Sequence, residues 1–235
     1  MYEYRGLQDV LFIALYIGTA TCALLACLYL LLRRGNAFLD ENIKSSRRLR
    51  HWTAAFMSAV AASHAWWYAI GIYWLSDDRL VRNITNIMLD HVTLIPLMMA
   101  VLLALLQDRH RPLWPWLVAQ LPVVIFAVVG IVQRNAFLGC ELLQYWQLAV
   151  IIVFVTYYIY ALWHYNRWLL DNYADLEHKE VWQSMVFTMA LFAVYMIYTS
   201  NAGELVREYL SQVITLFIIA FLVWRVETLQ GLEDN

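Results

Sequence analysis

The chain is expected to be an all-α protein, a seven-transmembrane helix bundle with its N-terminus outside and its C-terminus in the cytoplasm. Three observations lead there. Seven apolar stretches, near residues 9 to 32, 52 to 75, 87 to 106, 114 to 133, 144 to 165, 182 to 200 and 207 to 226, alternate with short polar loops. Each matches the ~20 residues that cross a ~30 Å hydrocarbon core at ~1.5 Å per residue. The composition agrees: 63% of the residues are hydrophobic and 14% charged, where a soluble domain carries about 25% charged residues. A water-soluble domain is thereby excluded. The third observation is the placement of positive charge. Arg33, Arg34, Lys44, Arg47, Arg48, Arg50, Arg109, Arg111, Arg167, Lys179 and Arg225 follow the odd-numbered spans, against Arg5, Arg79, Arg82, Arg134 and Arg207 on the other side. Basic residues favour the cytoplasmic loops, so the eleven mark the inner face.

Taken in order, the first span is too long for the apolar core of a cleavable leader, and Arg33-Arg34 stand where a cleavage site would fall. Its Cys22 and Cys27 do not share a helix face, and with Cys140 alone in a loop no disulfide or metal framework is expected. The second span carries His64 and ends among Trp66, Trp67 and Trp74; the third begins near Asp90 and His91. Between them, Asn83-Ile84-Thr85 fits a glycosylation sequon in a polar loop. Pro96 and Pro122 fall in the third and fourth spans, where each removes a backbone hydrogen bond and favours a bend. Gln147 opens the fifth span, Asn201 and Glu204 precede the seventh, and Gln212 lies within it.

Ionisable and amide side chains inside a membrane are costly and face the bundle interior or water. His64, Trp67, Asp90, His91, Gln147, Asn201 and Glu204 therefore form the candidate ligand-binding set, a polar cavity open to the outer face. Three readings stand side by side: a small-ligand pocket with aromatic walls, polar groups that satisfy one another between helices, and a metal or haem site. A haem held by His64 and His91 requires both rings at one depth, and counted from the span ends they differ by about seven residues, or ~10 Å. No metal, cofactor or catalytic residue is assigned, and enzyme motifs are absent from the sequence. Lysine occurs only at 44 and 179, outside the seventh span, so no retinal Schiff base can form there.

On the inner side the loop from Asn166 to Val181 is long and charged, with Leu169, Leu170, Tyr173 and Leu176 at helical spacing. Val226, Leu229 and Leu232 continue at intervals of three beyond the last span, as a helix leaving the membrane would. Tyr173, Asp175, Glu177, His178, Arg225 and Leu229 are the candidate signal-coupling residues. Residues 1–226 form the seven-helix domain, and 227–235 a cytoplasmic connector toward an output domain that this sequence does not contain.

Several segments carry a resemblance: LACLYLLLRRGNAF at 25 to 38, SHAWWY at 63 to 68, DDRLVRN at 77 to 83, RPLWPWL at 111 to 117, DNYADLEHKEVWQS at 171 to 184, YTSN at 198 to 201 and WRVETLQ at 224 to 230. On these the chain resembles the seven-span N-terminal region of Bacteroidota membrane-bound regulators, in which a cytoplasmic AraC-type helix-turn-helix domain or a histidine kinase follows. The resemblance implies a sensory input module in the bacterial inner membrane, controlling transcription and making no nucleic-acid contact of its own. It implies an unknown small-molecule ligand, a cytoplasmic DNA-binding or kinase partner and, if the regulators act on paired half-sites, a homodimer. A transporter or membrane enzyme is the other class in view.

Overall fold

The computed structural model describes residues 7–33, 44–72, 78–174, 176, 178–199 and 204–232, and these contain helices and no strand. The helices are α1 (Leu7–Leu32), α2 (Arg47–Ile72), α3 (Arg79–Leu105), α4 (Trp114–Val118), α5 (Leu121–Val132), α6 (Leu143–Asn172), α7 (Trp182–Thr199) and α8 (Glu204–Thr228), with a π-helical turn, Phe137–Leu142, leading into α6. α4 and α5 make one apolar rod, and the π turn and α6 another, so the described residues form seven rods.

Five rods are long and apolar enough to cross a membrane: Val10–Leu32, Arg79–Leu105, Trp114–Val132, Phe137–Asn172 and Tyr209–Thr228. α2 has the length, at 26 residues, but opens on Arg47, Arg48 and Arg50 and is more polar. α7 is shorter, at 18 residues, and apolar over most of its length.

Rods consecutive in sequence run antiparallel. Arg50 reaches the Leu30 carbonyl while Tyr16 reaches that of His64, which pairs α1 with α2 head to tail. Ser63 meets Asp90 across α2 and α3, and Tyr158 meets Ser184 across α6 and α7. α8 returns beside α1 and α2, with Gln212 on His64 and Glu227 on Arg50. The base of the bundle is the end at which α8 finishes; the top is the opposite end.

The packing is that of a bundle in an apolar solvent. On α1, Thr19, Ala23, Cys27 and Leu30 are buried at one-turn spacing while Leu24, Leu25, Leu28 and Leu31 are exposed. α6 buries Phe154, Tyr158, Ala161, Tyr165 and Leu169 and exposes Ile152, Val153, Tyr160 and Trp163. Large apolar side chains facing outward need no water-excluding partner in hydrocarbon, and small residues on the inward face let backbones approach. α3 is the central element at the base: every residue from Met99 to Leu106 is 3% exposed or less. A helix apolar on all sides is one surrounded by others.

Several boundaries differ from those expected. α3 starts at Arg79 rather than 87, because the Asp78 carboxylate caps it by accepting from the Leu80 amide at 2.9 Å. The sequon therefore lies within α3 and not in a loop: Ile84 is fully buried and the Thr85 hydroxyl donates to the Val81 carbonyl. The π turn and α6 begin before residue 144, which places Cys140 and Glu141 in helical backbone. Asn135 directs the tight reversal before them, its side chain accepting from the Phe137 and Leu138 amides. α3 runs through Pro96 without ending, whereas the fourth rod breaks at Ala119 and Gln120 with Pro122 in the first turn of α5.

The end of α8 also departs from expectation. Helix stops at Thr228 and residues 229–232 turn back under the bundle. Val226, Leu229 and Leu232 are buried against the core instead of lining an outgoing helix. The apolar stripe expected in the loop after α6 is likewise absent: the helix ends at Asn172, Leu169 is buried and Leu176 packs on the core.

Candidate functional site

Ser63, Trp66 and Trp67 stand three and four residues apart, so they share the face of α2 that meets α3. All three converge on Asp90. Its Oδ1 accepts from the Ser63 hydroxyl at 2.6 Å and the Trp66 indole N–H at 3.1 Å, and its Oδ2 accepts from the Trp67 indole N–H at 2.7 Å. Neutral donors held around a carboxylate make strong, charge-assisted bonds. The two indoles are occupied as donors to this carboxylate.

His64 faces the other way, into the seam of α1, α2 and α8. Its Nδ1 lies 2.8 Å from the Val60 carbonyl and its Nε2 2.9 Å from Gln212 Oε1, while Tyr16 donates to the His64 carbonyl at 2.6 Å. Two oxygens against two ring nitrogens are satisfied by an imidazolium donating to both. They are equally satisfied by a neutral ring once the Gln212 amide turns to offer its N–H to Nε2.

The Ser63–Asp90 bond puts residues 63 and 90 at one level, so His64 and His91 share a depth. The ~10 Å offset expected from span ends is overturned; it came from placing the start of α3 eight residues late. The rings point apart nonetheless. The His64 ring turns to Gln212, whereas His91 Nδ1 donates to the Ile87 carbonyl at 2.7 Å. Among the described residues no group of three histidine, cysteine or acidic side chains is arranged to hold a metal.

A second polar layer lies between α3, α5 and α6. Ile84, Val123, Ala127 and Leu143 form a small buried cluster there, with Ile87 packed on it. One turn toward the base from Ile87, Val123 and Leu143 stand His91, Gln120 and Gln147 respectively. The Trp146 indole donates to the Ala119 carbonyl at 2.9 Å, which sets Gln147 and Gln120 at one level. Gln120 is 4% and Gln147 0% exposed. Among the described residues neither amide has a hydrogen-bond partner, nor does His91 Nε2. Buried polar atoms are nearly always paired, so five unpaired N and O atoms on three rods in one layer are an unusual concentration.

At the base the connecting segments converge on the end of α8. Arg50 donates to Glu227 at 2.7 Å, to the Ser45 hydroxyl at 3.1 Å and to the Leu30 carbonyl at 3.1 Å. The Arg225 guanidinium donates to the Glu180 carbonyl. Beyond the helix, the Gln230 amide donates to the His178 carbonyl at 2.8 Å and the Gly231 amide to the Lys44 carbonyl at 2.7 Å. Gln107 closes the strap on both sides, donating to the Gln230 carbonyl at 3.0 Å and accepting from the Leu232 amide at 2.7 Å. His178 adopts φ 61° to make its turn, and Lys179 Nζ sits 5.6 Å from the Tyr173 ring centroid.

The candidates thus divide. Trp67 and Asp90 come together between α2 and α3, His64 faces away from them onto Gln212 of α8, and His91 lies at the same level but joins Gln147 in the second layer. Tyr173, His178, Arg225 and Leu229 meet at the base. Asn201, Asp175 and Glu177 lie outside the described residues, as does the side chain of Glu204. Sequence reasoning did not single out Tyr16, Ser63, Gln120, Gln107 or the Arg50–Glu227 pair. Gln120 could have been found as an amide in an apolar run, but the pairings between distant segments leave no local signal.

Comparison of the chain with known protein families, curated proteins and solved structures gives no match.

Proposed function

We propose that the chain is a membrane-embedded sensory input module. It crosses the bilayer seven times with the base in the cytoplasm, binds a small ligand from the outer side and relays a conformational change through α8 to a cytoplasmic output. The observation that carries this reading is that one helix touches both ends: Gln212 of α8 bonds to His64, and about 22 Å farther along the axis Glu227 bonds to Arg50. A shift or rotation of α8 moves both contacts together, and the strap at 229–232 with them. The unpaired amides of Gln120 and Gln147 and His91 Nε2 support the binding step, since a ligand carrying both donors and acceptors would complete them. The concentration of Lys and Arg at the base supports the orientation. The output in this reading is the AraC-type DNA-binding domain that the sequence resemblance implies, or a histidine kinase served by the same input.

The test is a thermal-shift screen of small metabolites on the purified protein, followed by a fluorophore on a cysteine at half-buried Thr228. A ligand that stabilises the protein, loses its effect in Gln147→Met and alters the fluorescence at 228 supports the relay. A ligand that binds without changing the signal at 228 removes it. Impermeant thiol labelling of single cysteines at His110 and Asn135 in intact cells checks the orientation: reaction at 135 and none at 110 is expected.

A further inference from the structure

We infer that a groove at the base between α2, α3 and the loop after α3 binds the phosphate headgroup of an anionic phospholipid. The groove, of about 350 Å³, is lined by Arg48, Trp52, Leu103, His110, Arg111 and Leu113 among others. Arg48 Nη1 lies 2.9 Å from His110 Nδ1. A guanidinium only donates, so Nδ1 accepts and the neutral ring carries its proton on Nε2. The groove therefore offers the remaining N–H groups of Arg48 and an imidazole N–H, all donors.

Charge in the groove is unbalanced. Arg111 is met by Asp108 through two bonds of 2.6 and 2.9 Å. Arg48 has no carboxylate within ion-pair distance among the described residues. It also stands in the first turn of α2, where the helix dipole disfavours a cation. Of its neighbours there, Arg50 is matched by Glu227 and Arg47 is exposed to solvent. An anion beside Arg48 offsets both the missing counter-charge and the dipole.

The shape favours a lipid as the source of that anion. Trp52 is one turn along α2 from Arg48, and with Leu103 and Leu113 it gives the groove an apolar wall on the membrane-core side. Tryptophan and arginine at such a level are headgroup-boundary residues, and basic pockets between membrane helices take phosphate headgroups. A phosphodiester fits against Arg48 and His110 with its acyl chains along the wall. Inorganic phosphate would use the polar part alone.

The test uses the full chain in nanodiscs of phosphatidylcholine alone or mixed with phosphatidylglycerol, with retained lipid counted by native mass spectrometry after detergent extraction. Preferential retention of phosphatidylglycerol is expected, falling about fivefold in Arg48→Gln and in His110→Ala, a change in an exposed loop that leaves the fold intact. Arg47→Gln removes the same charge from the adjacent residue outside the groove and should retain the lipid like wild type. Equal losses in Arg47→Gln and Arg48→Gln would reduce the effect to diffuse charge and overturn the site, as would absence of preference. Stabilisation of the phosphatidylcholine sample by inorganic phosphate to the level given by phosphatidylglycerol would overturn the lipid assignment.

Discussion

Arg50 and Glu227, 177 residues apart in the chain, form a buried ion pair at 2.7 Å that fastens the first turn of α2 to the last turn of α8. The carboxylate side chain is fully buried and the guanidinium 11% exposed. Removing one partner strands the other charge. Glu227→Gln is expected to destabilise the protein by about 3 kcal/mol, read as unfolding in mixed micelles of mild detergent and dodecyl sulfate. Arg50→Met combined with Glu227→Leu should recover most of that loss; a double variant as unstable as the single one would contradict the ion pair as its origin.

Among the described residues the hydrogen-bond partners of the Asp90 carboxylate are three neutral donors and no cation. Asp90→Asn keeps the volume but turns one acceptor oxygen into an N–H₂ facing either Trp67 or the Ser63 and Trp66 pair. A loss of about 1–3 kcal/mol follows. Indole N–H resonances of Trp66 and Trp67 should shift, and the one facing the amide nitrogen should move most; unmoved resonances would disprove the arrangement.

Gln147 carries the opposite expectation. Its amide is wholly buried and has no partner among the described residues, so Gln147→Met removes a desolvation cost while preserving length. The ligand-free protein should gain about 1 kcal/mol, measured by the same unfolding titration. A destabilised variant would show that the amide is satisfied in the folded protein.

Gly130 and Gly139 let α5 and the π turn touch. A Cβ on Gly130 would stand 2.5 Å from the Cα of Gly139, which is backbone, and a Cβ on Gly139 would stand 2.3 Å from Ile84 Cδ1, the end of a side chain. Both alanine variants should lose stability, by about 1–3 kcal/mol, with Gly130→Ala the worse. Ile84→Ala should relieve Gly139→Ala and not Gly130→Ala, which makes the pair of double variants the deciding measurement.

The strap depends on Gln107, which bonds on both sides of Gly231. Gln107→Ala should raise amide hydrogen exchange at Gln230 to Leu232 about tenfold while leaving Met99 to Leu105 protected, since local opening follows the bonds lost locally. Unchanged exchange at 230–232 would mean the strap is held by other contacts.

The apolar alternation made the rods themselves legible, because length and hydropathy are local properties. Their ends were less so. DDRLVRN reads as loop by polarity, yet Asp78 caps a helix that starts within it, and that displacement carried the depth of Asp90 and His91 with it. Arg47 to Arg50 likewise belong to α2 despite their charge. The polar residues within the spans were recognisable as costly in hydrocarbon, but which of them pair was not: Asp90 with two indoles and His64 with Gln212 depend on rotation about helix axes. The base was least legible, since Val226, Leu229 and Leu232 show the same spacing whether a helix continues outward or a turn tucks underneath.

Gly231 gives that tuck a further meaning. A methyl group in place of its hydrogen would meet the Ser46 amide nitrogen at 2.9 Å and the Lys44 carbonyl at 3.1 Å, so only the smallest residue passes beneath the 44–46 segment. Residues 229–232 are accordingly pinned against the bundle and do not form the tip of a free rod. In the proposed relay, a movement of α8 would therefore have to pass through this pinned turn, whose path is set by a clearance of a single side-chain atom.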